Sequence, residues 1–445
     1  MADTETDSPD HQRTHVRWVI LALLFAASFV AYVLRTNMSI AGEDIMADLG
    51  LTRIQLGMVL SAFAWGYAIF QFPGGIFGDI VGCRRALTVI AVSWGILTVA
   101  TGLVPGTTLA STTLILTTLA GLRFLIGVAQ APLFPTACGG TIGSWFPVSG
   151  WAFPNGLTST GLTLGAATTA PLVAWLMSTV GWRESFLLTA PLAFLVAAAW
   201  WWYVRDNPAD HPRVGTKELD LINSDRPSPD EAIEHKTAWK CVLKNRDILL
   251  LTASYFCMNY VFYIFFNWFF IYLVEVRNFE ILQGGVFAAA PWMVGAVAAS
   301  VGGLWCDRLC KRIGFRWGCR IPAIAGLSLV AGLLFLGATA ENPHLAVALL
   351  SLSFGCTQLT EGAYWAAAIS VSGNHASAAT GVMNTGGNVA GGIGALLVPI
   401  MAEAFGWITA LATGSIFAMI GVGLWLFIRA EKPMTTGSGM RAVDD

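Results

Sequence analysis

Apolar residues in this chain come in long unbroken runs, not in the one-sided stripes of surface helices or the alternation of half-buried strands. A helix needs about 20 apolar residues to cross a bilayer. Runs of that kind predict helices near 17–41, 54–77, 86–104, 112–135, 152–177, 185–204, 248–274, 283–305, 321–340, 345–370, 378–402 and 407–428. Gly and Ala recur within them, as expected where helices associate in lipid by close backbone approach. The one sizeable polar segment, 205–246, mixes charges with Pro208, Pro212, Pro227 and Pro229 and divides the spans six and six. At about 40 residues it is too short for a core of its own, so it reads as a linker able to hold short interfacial helices. The predicted layout is a tail (1–16), a six-helix bundle (17–204), the linker (205–246), a second six-helix bundle (247–428) and a second tail (429–445).

Charge sets the orientation. Of 25 Lys and Arg, all but five fall in the tails, the linker or the turns on the same side. Arg53, Arg183 and Arg277 lie on the opposite side, and Arg35 and Arg123 lie inside spans. Positive residues accumulate on the cytoplasmic side, which puts both termini in the cytoplasm of a chain in the bacterial inner membrane. The polar N-terminal stretch holds nothing like a cleavable leader, so the first run is expected to be a retained span.

Composition agrees. Hydrophobic residues make up 55% and charged residues 12%, with mean hydropathy +0.64, leaving too little polar surface for a soluble globule. A net charge of −2 excludes a nucleic-acid partner. The eight cysteines form no C-x-x-C pair. Cys306, Cys310 and Cys319 fall among Arg308, Lys311, Arg312 and Arg316 with no His or acidic ligand set, so they read as small apolar fillers. No metal or cofactor is expected. Without a phosphate loop or a nucleophile–base pair, an enzyme is excluded.

The two halves repeat. Gly75-Ile76-Phe77-Gly78-Asp79 returns as Gly303-Leu304-Trp305-Cys306-Asp307, Gly161 and Gly165 as Gly387 and Gly391, and Gly181-Trp182 as Gly406-Trp407. All three offsets are roughly 225–228 residues, the mark of a transporter built from repeats about a central site.

Gly75-x-Phe77-Gly78-Asp79-x-x-Gly82-x-Arg84-Arg85 resembles the loop signature between spans two and three of the major facilitator superfamily. Narrower features are similar to its anion:cation symporter branch, which holds sugar-acid permeases, sialin and vesicular glutamate transporters. They are Tyr32-x-x-Arg35-x-Asn37-Met38-Ser39-Ile40-Ala41, Ser61-Ala62-Phe63-x-Trp65-Gly66-Tyr67-x-x-x-Gln71-x-Pro73-Gly74-Gly75, Arg123-Phe124-Leu125-x-Gly127 and Gly181-Trp182-Arg183-x-x-Phe186. The linker start Arg205-Asp206-Asn207-Pro208, with Glu218, is similar too. The second half matches more loosely, through Trp268, Tyr272, Trp365 and Gly386-Gly387-Asn388. The resemblance implies an all-α membrane protein of 12 transmembrane helices in two pseudo-symmetric six-helix bundles, with Arg35 on the substrate's anionic group. It also implies a conformational gate at Gly75, Asp79, Gly82 and Arg84, with Asp307 and Arg308 as the second-half counterparts.

A charge at mid-membrane is costly enough to be a functional candidate by default. Arg35 presents a planar fork that holds a carboxylate bidentately. Arg123 either contacts substrate or braces neighbouring helices. The deep acid is Glu361, a coupling or substrate residue or a structural partner of a buried Arg or hydroxyl. Proton-coupled members of the branch place acids where this chain has Leu34 and Gln130, and neither can release a proton. Tyr67, Gln71, Gln130, Asn259, Tyr263, Asn267, Trp365, Asn384 and Asn388 complete the predicted cavity lining. The aromatic run Phe262–Phe270 is otherwise expected to face lipid, Tyr263 and Trp268 excepted. The leading expectation is ion-coupled transport of a small organic anion by a monomer in the lipid bilayer, with a proton or sodium ion as coupling partner. The alternatives are an exporter of hydrophobic or cationic compounds and a non-transporting sensor.

Overall fold

The computed structural model describes residues 14–133, 135–147, 152–224, 242–372 and 376–429, without the side chains of residues 72, 75, 79, 135, 138, 139, 152 and 376–378. Its helices are α1 (Val16–Ile40), α2 (Gly42–Leu49), α3 (Arg53–Val81), α4 (Cys83–Gly102), α5 (Thr112–Gln130), α6 (Gly143–Trp145), α7 (Ala152–Val180), α8 (Trp182–Thr189) and α9 (Pro191–Tyr203). After the linker helix α10 (Thr216–Asn223) come α11 (Arg246–Glu275), α12 (Ile281–Ile313), α13 (Phe315–Thr339), α14 (Pro343–Ser372), α15 (Ala376–Phe405) and α16 (Trp407–Trp425). Each apolar run is helical over most of its described residues. Among the described residues, 11 segments are long and apolar enough to span. The twelfth, α14, has the length, but Ser351, Ser353, Thr357, Gln358, Thr360 and Glu361 make it the more polar helix.

Three features escape the apolar pattern. Helix α2 follows α1 as a separate short helix, ended by Gly50 in the left-handed region. The fourth span continues past Gln130 as a π-helical stretch, Pro135–Ile142, before α6. The sixth breaks between α8 and α9, with Pro191 opening the new helix, where its missing N–H costs nothing.

Helix α1 packs on α7, α3 on α5, α11 on α15 and α12 on α14. Reciprocal glycines bring α3 and α5 together: a Cβ at Gly66 would run into the Phe124 carbonyl, and one at Gly127 into the Phe63 carbonyl. The halves meet where α3 lies on α15, α7 on α12 and α1 on α11. The repeat appears in backbone geometry as well. Gly82 and Gly314 turn at φ 86° and 83°, Gly181 and Gly406 at 97° and 84°, a region that glycine enters without steric cost.

The aromatic run on α11 does not face lipid. Phe265, Phe266, Trp268, Phe269 and Phe270 are all buried, because α11 is covered by α1, α12, α14, α15 and α16 together. At the end of the molecule away from the linker the halves are latched. Arg53 Nε donates to Glu275 Oε2 at 2.8 Å, Gly57 lies against Ala395 and Pro399, and Gly285 against Ala170 and Ala174. Nearer mid-depth, Ser61 Oγ donates to the Gly392 carbonyl at 2.8 Å.

Candidate functional site

Arg35 sits in the last third of α1, 5% exposed. Its guanidinium carbon lies 4.7–5.2 Å from the ring centroids of Phe63, Phe266, Tyr32 and Tyr67, with Tyr263 at 6.0 Å. The negative faces of these rings attract a cation, and more strongly when it is desolvated. Nη2 donates to the Tyr263 hydroxyl at 2.9 Å, while the buried Nε has no partner. Tyr263 passes the bond on to Asn388 Oδ1 at 2.8 Å, and the Asn388 amide donates to the Asn384 carbonyl at 2.9 Å and Gln71 Oε1 at 3.4 Å. One chain of polar contacts thus crosses from the first half to the second.

Arg123 stands behind Arg35. Its Nη2 donates to the Arg35 carbonyl at 2.9 Å, its guanidinium lies over Phe63 at 5.4 Å, and its buried Nε and Nη1 have no partner. One nitrogen braces α1 and two remain available. Among the described residues no carboxylate stands in ion-pair range of either arginine; the ion pairs found are Arg17–Glu218, Arg53–Glu275 and Arg183–Asp48.

Glu361 forms a second node. Its Oε1 accepts from the Tyr255 hydroxyl and from Trp365 Nε1, both at 2.8 Å. Tyr255 and Tyr263 are eight residues apart on α11, about 12 Å of helical rise, so the acid lies about two turns from Arg35 towards the linker end. Asn259 lies between them and donates to the Tyr255 carbonyl. Gln130 donates to the Ala31 carbonyl at 3.1 Å. Tyr67, Gln71, Asn259, Glu361, Trp365 and Asn384 are half-buried, and Asn267 is buried. Arg84 Nε and Nη2 donate to the Trp201 carbonyl, its guanidinium carbon lies 4.3 Å from the Trp201 ring centroid, and its backbone N–H donates to Asp206 Oδ1. Asp307 and Arg308 are exposed. The side chain of Asp79 lies outside the described residues.

Sequence reasoning missed the ring cage of Tyr32, Phe63 and Phe266, and it missed Tyr255. The paired glycines held a signal for the tyrosines. A Cβ at Gly391 would strike the Tyr263 ring, and one at Gly387 would strike Tyr255 and Asn259. Asn37 was also passed over; it is 1% exposed, with neither amide atom partnered.

Comparison with known proteins places these features in a family. The Major Facilitator Superfamily model matches residues 23–395. A probable sulfoacetate transporter of Cupriavidus necator is 34% identical over 398 residues, 89% of each chain. A probable galactarate/D-glucarate transporter of Bacillus subtilis is 31% identical over 361 residues, 79% of this chain and 78% of that one, and a D-galactonate transporter of Escherichia coli is 29% identical over 424 residues, 91% and 94%. Among solved structures, an inward-facing, unoccupied bacterial homolog of the human lysosomal transporter Spinster superposes with TM-score 0.77 at 16% identity, over 94% of this chain and 98% of that one. A D-xylose–proton symporter gives 0.73 at 13%, over 94% and 98%. The chain belongs to the Major Facilitator Superfamily, in the branch of its sugar-acid and anion transporters. It is a secondary transporter and a multi-pass membrane protein, not an enzyme.

Proposed function

We propose that this transporter carries a small organic anion, a carboxylate or sugar acid, by alternating access about Arg35. The observation that carries the reading is a pair of buried guanidiniums with no carboxylate in ion-pair range among the described residues. An uncompensated buried charge is expensive, and an anionic substrate removes that cost when it binds. The fork of Arg35 takes the carboxylate, Arg123 offers its remaining N–H groups, and Tyr263, Asn388, Gln71 and Asn384 meet hydroxyls. The names of the relatives, transporters of sulfoacetate, galactarate, D-glucarate and D-galactonate, support the same substrate class.

The bundles 17–204 and 247–428 rock about this site, joined by 205–246, and Gly75, Asp79, Gly82 and Arg84 around the α3–α4 turn, with Asp307 and Arg308 at the end of α12, gate the motion. The Lys and Arg distribution supports cytoplasmic termini in a bacterial inner membrane. The working unit is a monomer, and a proton or sodium ion drives it, with Glu361 the coupling acid where a proton is used.

The test is ligand-induced stabilisation of the purified protein against a panel of sulfonated and hydroxylated carboxylates, since a ligand of the folded state raises its melting temperature. At least one should stabilise the wild type, and Arg35→Lys should lose most of that shift, because an ammonium cannot reproduce the bidentate fork. Full stabilisation of Arg35→Lys, or stabilisation by organic cations alone, would overturn the reading.

A further inference from the structure

The turn joining α12 to α13 gathers three thiols. Cys306 and Cys310 sit one helical turn apart on α12, and Cys319 reaches them from α13 across the Gly314 turn. The sulfur–sulfur distances are 3.9 Å for Cys306–Cys310, 3.9 Å for Cys306–Cys319 and 3.7 Å for Cys310–Cys319. The helices touch there because residue 318 is glycine: a Cβ would collide with the Cys310 backbone. Two packed sulfurs are unremarkable, but this is a closed triangle. Its vertices lie about 2.2 Å from its centre, so an ion bound at a metal–sulfur distance of about 2.3 Å would sit just out of the sulfur plane. No side chain needs to move. Cys306 and Cys319 are 1% and 0% exposed while Cys310 is half-buried, which leaves the fourth position, and the way in, on the Cys310 side.

We propose that Cys306, Cys310 and Cys319 bind one closed-shell thiophilic ion, Zn(II) or Cu(I). The sequence reading as apolar fillers rested on the lack of His or acidic ligands, and three thiolates suffice for soft ions without them. The complex is net anionic, −1 with Zn(II) and −2 with Cu(I), and the basic residues Arg308, Lys311, Arg312 and Arg316 around the turn suit it. The bound ion fixes α12 against α13 at the second half's counterpart of the signature turn. To test this, reduced full-length protein is titrated separately with Zn(II) and with Cu(I) against a competing chelator. Metal content and maleimide-reactive thiols are then counted. One equivalent of one ion should be retained, three thiols protected and the melting temperature raised. Affinity should fall by about tenfold or more in Cys319→Ser and in the half-buried Cys310→Ser, one of three ligands being gone, and stay unchanged in Cys83→Ser. Retention of neither ion, wild-type affinity in both ligand variants, or a disulfide on mild oxidation with no metal uptake beforehand would each overturn the proposal.

Discussion

Tyr263 has one hydroxyl and two obligations: it accepts from Arg35 and donates to Asn388. Tyr263→Phe keeps the ring against Phe262 and Phe266 and removes the hydrogen-bonded link from Arg35 to Asn388. Substrate affinity should fall by about tenfold, the scale of one hydrogen bond to a charged group, with the melting temperature of the empty protein almost unchanged. Equal affinity by thermal-shift titration would place the substrate elsewhere. Arg35, Arg123 and Glu361 were legible in the sequence because a charge inside an apolar run is costly enough to stand out as a candidate. Tyr255 and the caging rings were not, since an aromatic residue in such a run is as well explained by packing. Only the fold shows which ring face meets the guanidinium.

Helix positions follow from the apolar runs, because in lipid every backbone group must be satisfied within its own segment. Docking between elements is less visible. Glu218 of α10 is 4% exposed and accepts from the backbone N–H groups of Val16 and Arg17 at 3.2 and 3.1 Å, capping α1 from some 200 residues away. Nothing local marks it; the sequence offered Glu218 only as a family resemblance. Glu218→Gln keeps the shape and loses the charge at the positive end of α1, so unfolding should become easier by about 1 kcal/mol, read as a lower melting temperature with normal substrate affinity. At the opposite end, Arg183 and Trp182 donate to Asp48, and the Arg183 bond chiefly holds the Asp48 carboxyl below its ordinary value of 3.8. A depressed acid stabilises above its unfolded pKa and loses that contribution as pH falls through the folded value. The α2 docking should therefore weaken below about pH 4, and Asp48→Asn should show a flatter acid limb in melting temperature. Identical acid limbs would assign no weight to the contact.

At the scale of the molecule, the far-end latch and the two-node interior make coupling a question about one residue. The Arg53–Glu275 pair joins the halves across that end, so Glu275→Gln should shift the population towards opening there, seen as faster maleimide labelling of the seam-buried position 61 in a Ser61→Cys background. Driving transport uphill needs a second ligand that binds the two states differently. Leu34 and Gln130 carry no titratable proton, and Arg35 and Arg123 stay charged. Glu361 is the interior acid left, reached from both α11 and α14 through Tyr255 and Trp365. Gln at this position keeps an oxygen for both donors, so the pocket and the rocking motion should persist while proton exchange is lost. Uptake into proteoliposomes is therefore expected either to ignore an inward proton gradient altogether or to lose its acceleration in Glu361→Gln. In both cases downhill counterflow should continue at a near-normal rate, since exchange needs only the anion site. Undiminished proton-driven accumulation in Glu361→Gln would remove Glu361 from the mechanism. Loss of counterflow along with the acceleration would instead make it a substrate ligand, two helical turns from Arg35 and in reach of the far end of a longer anion.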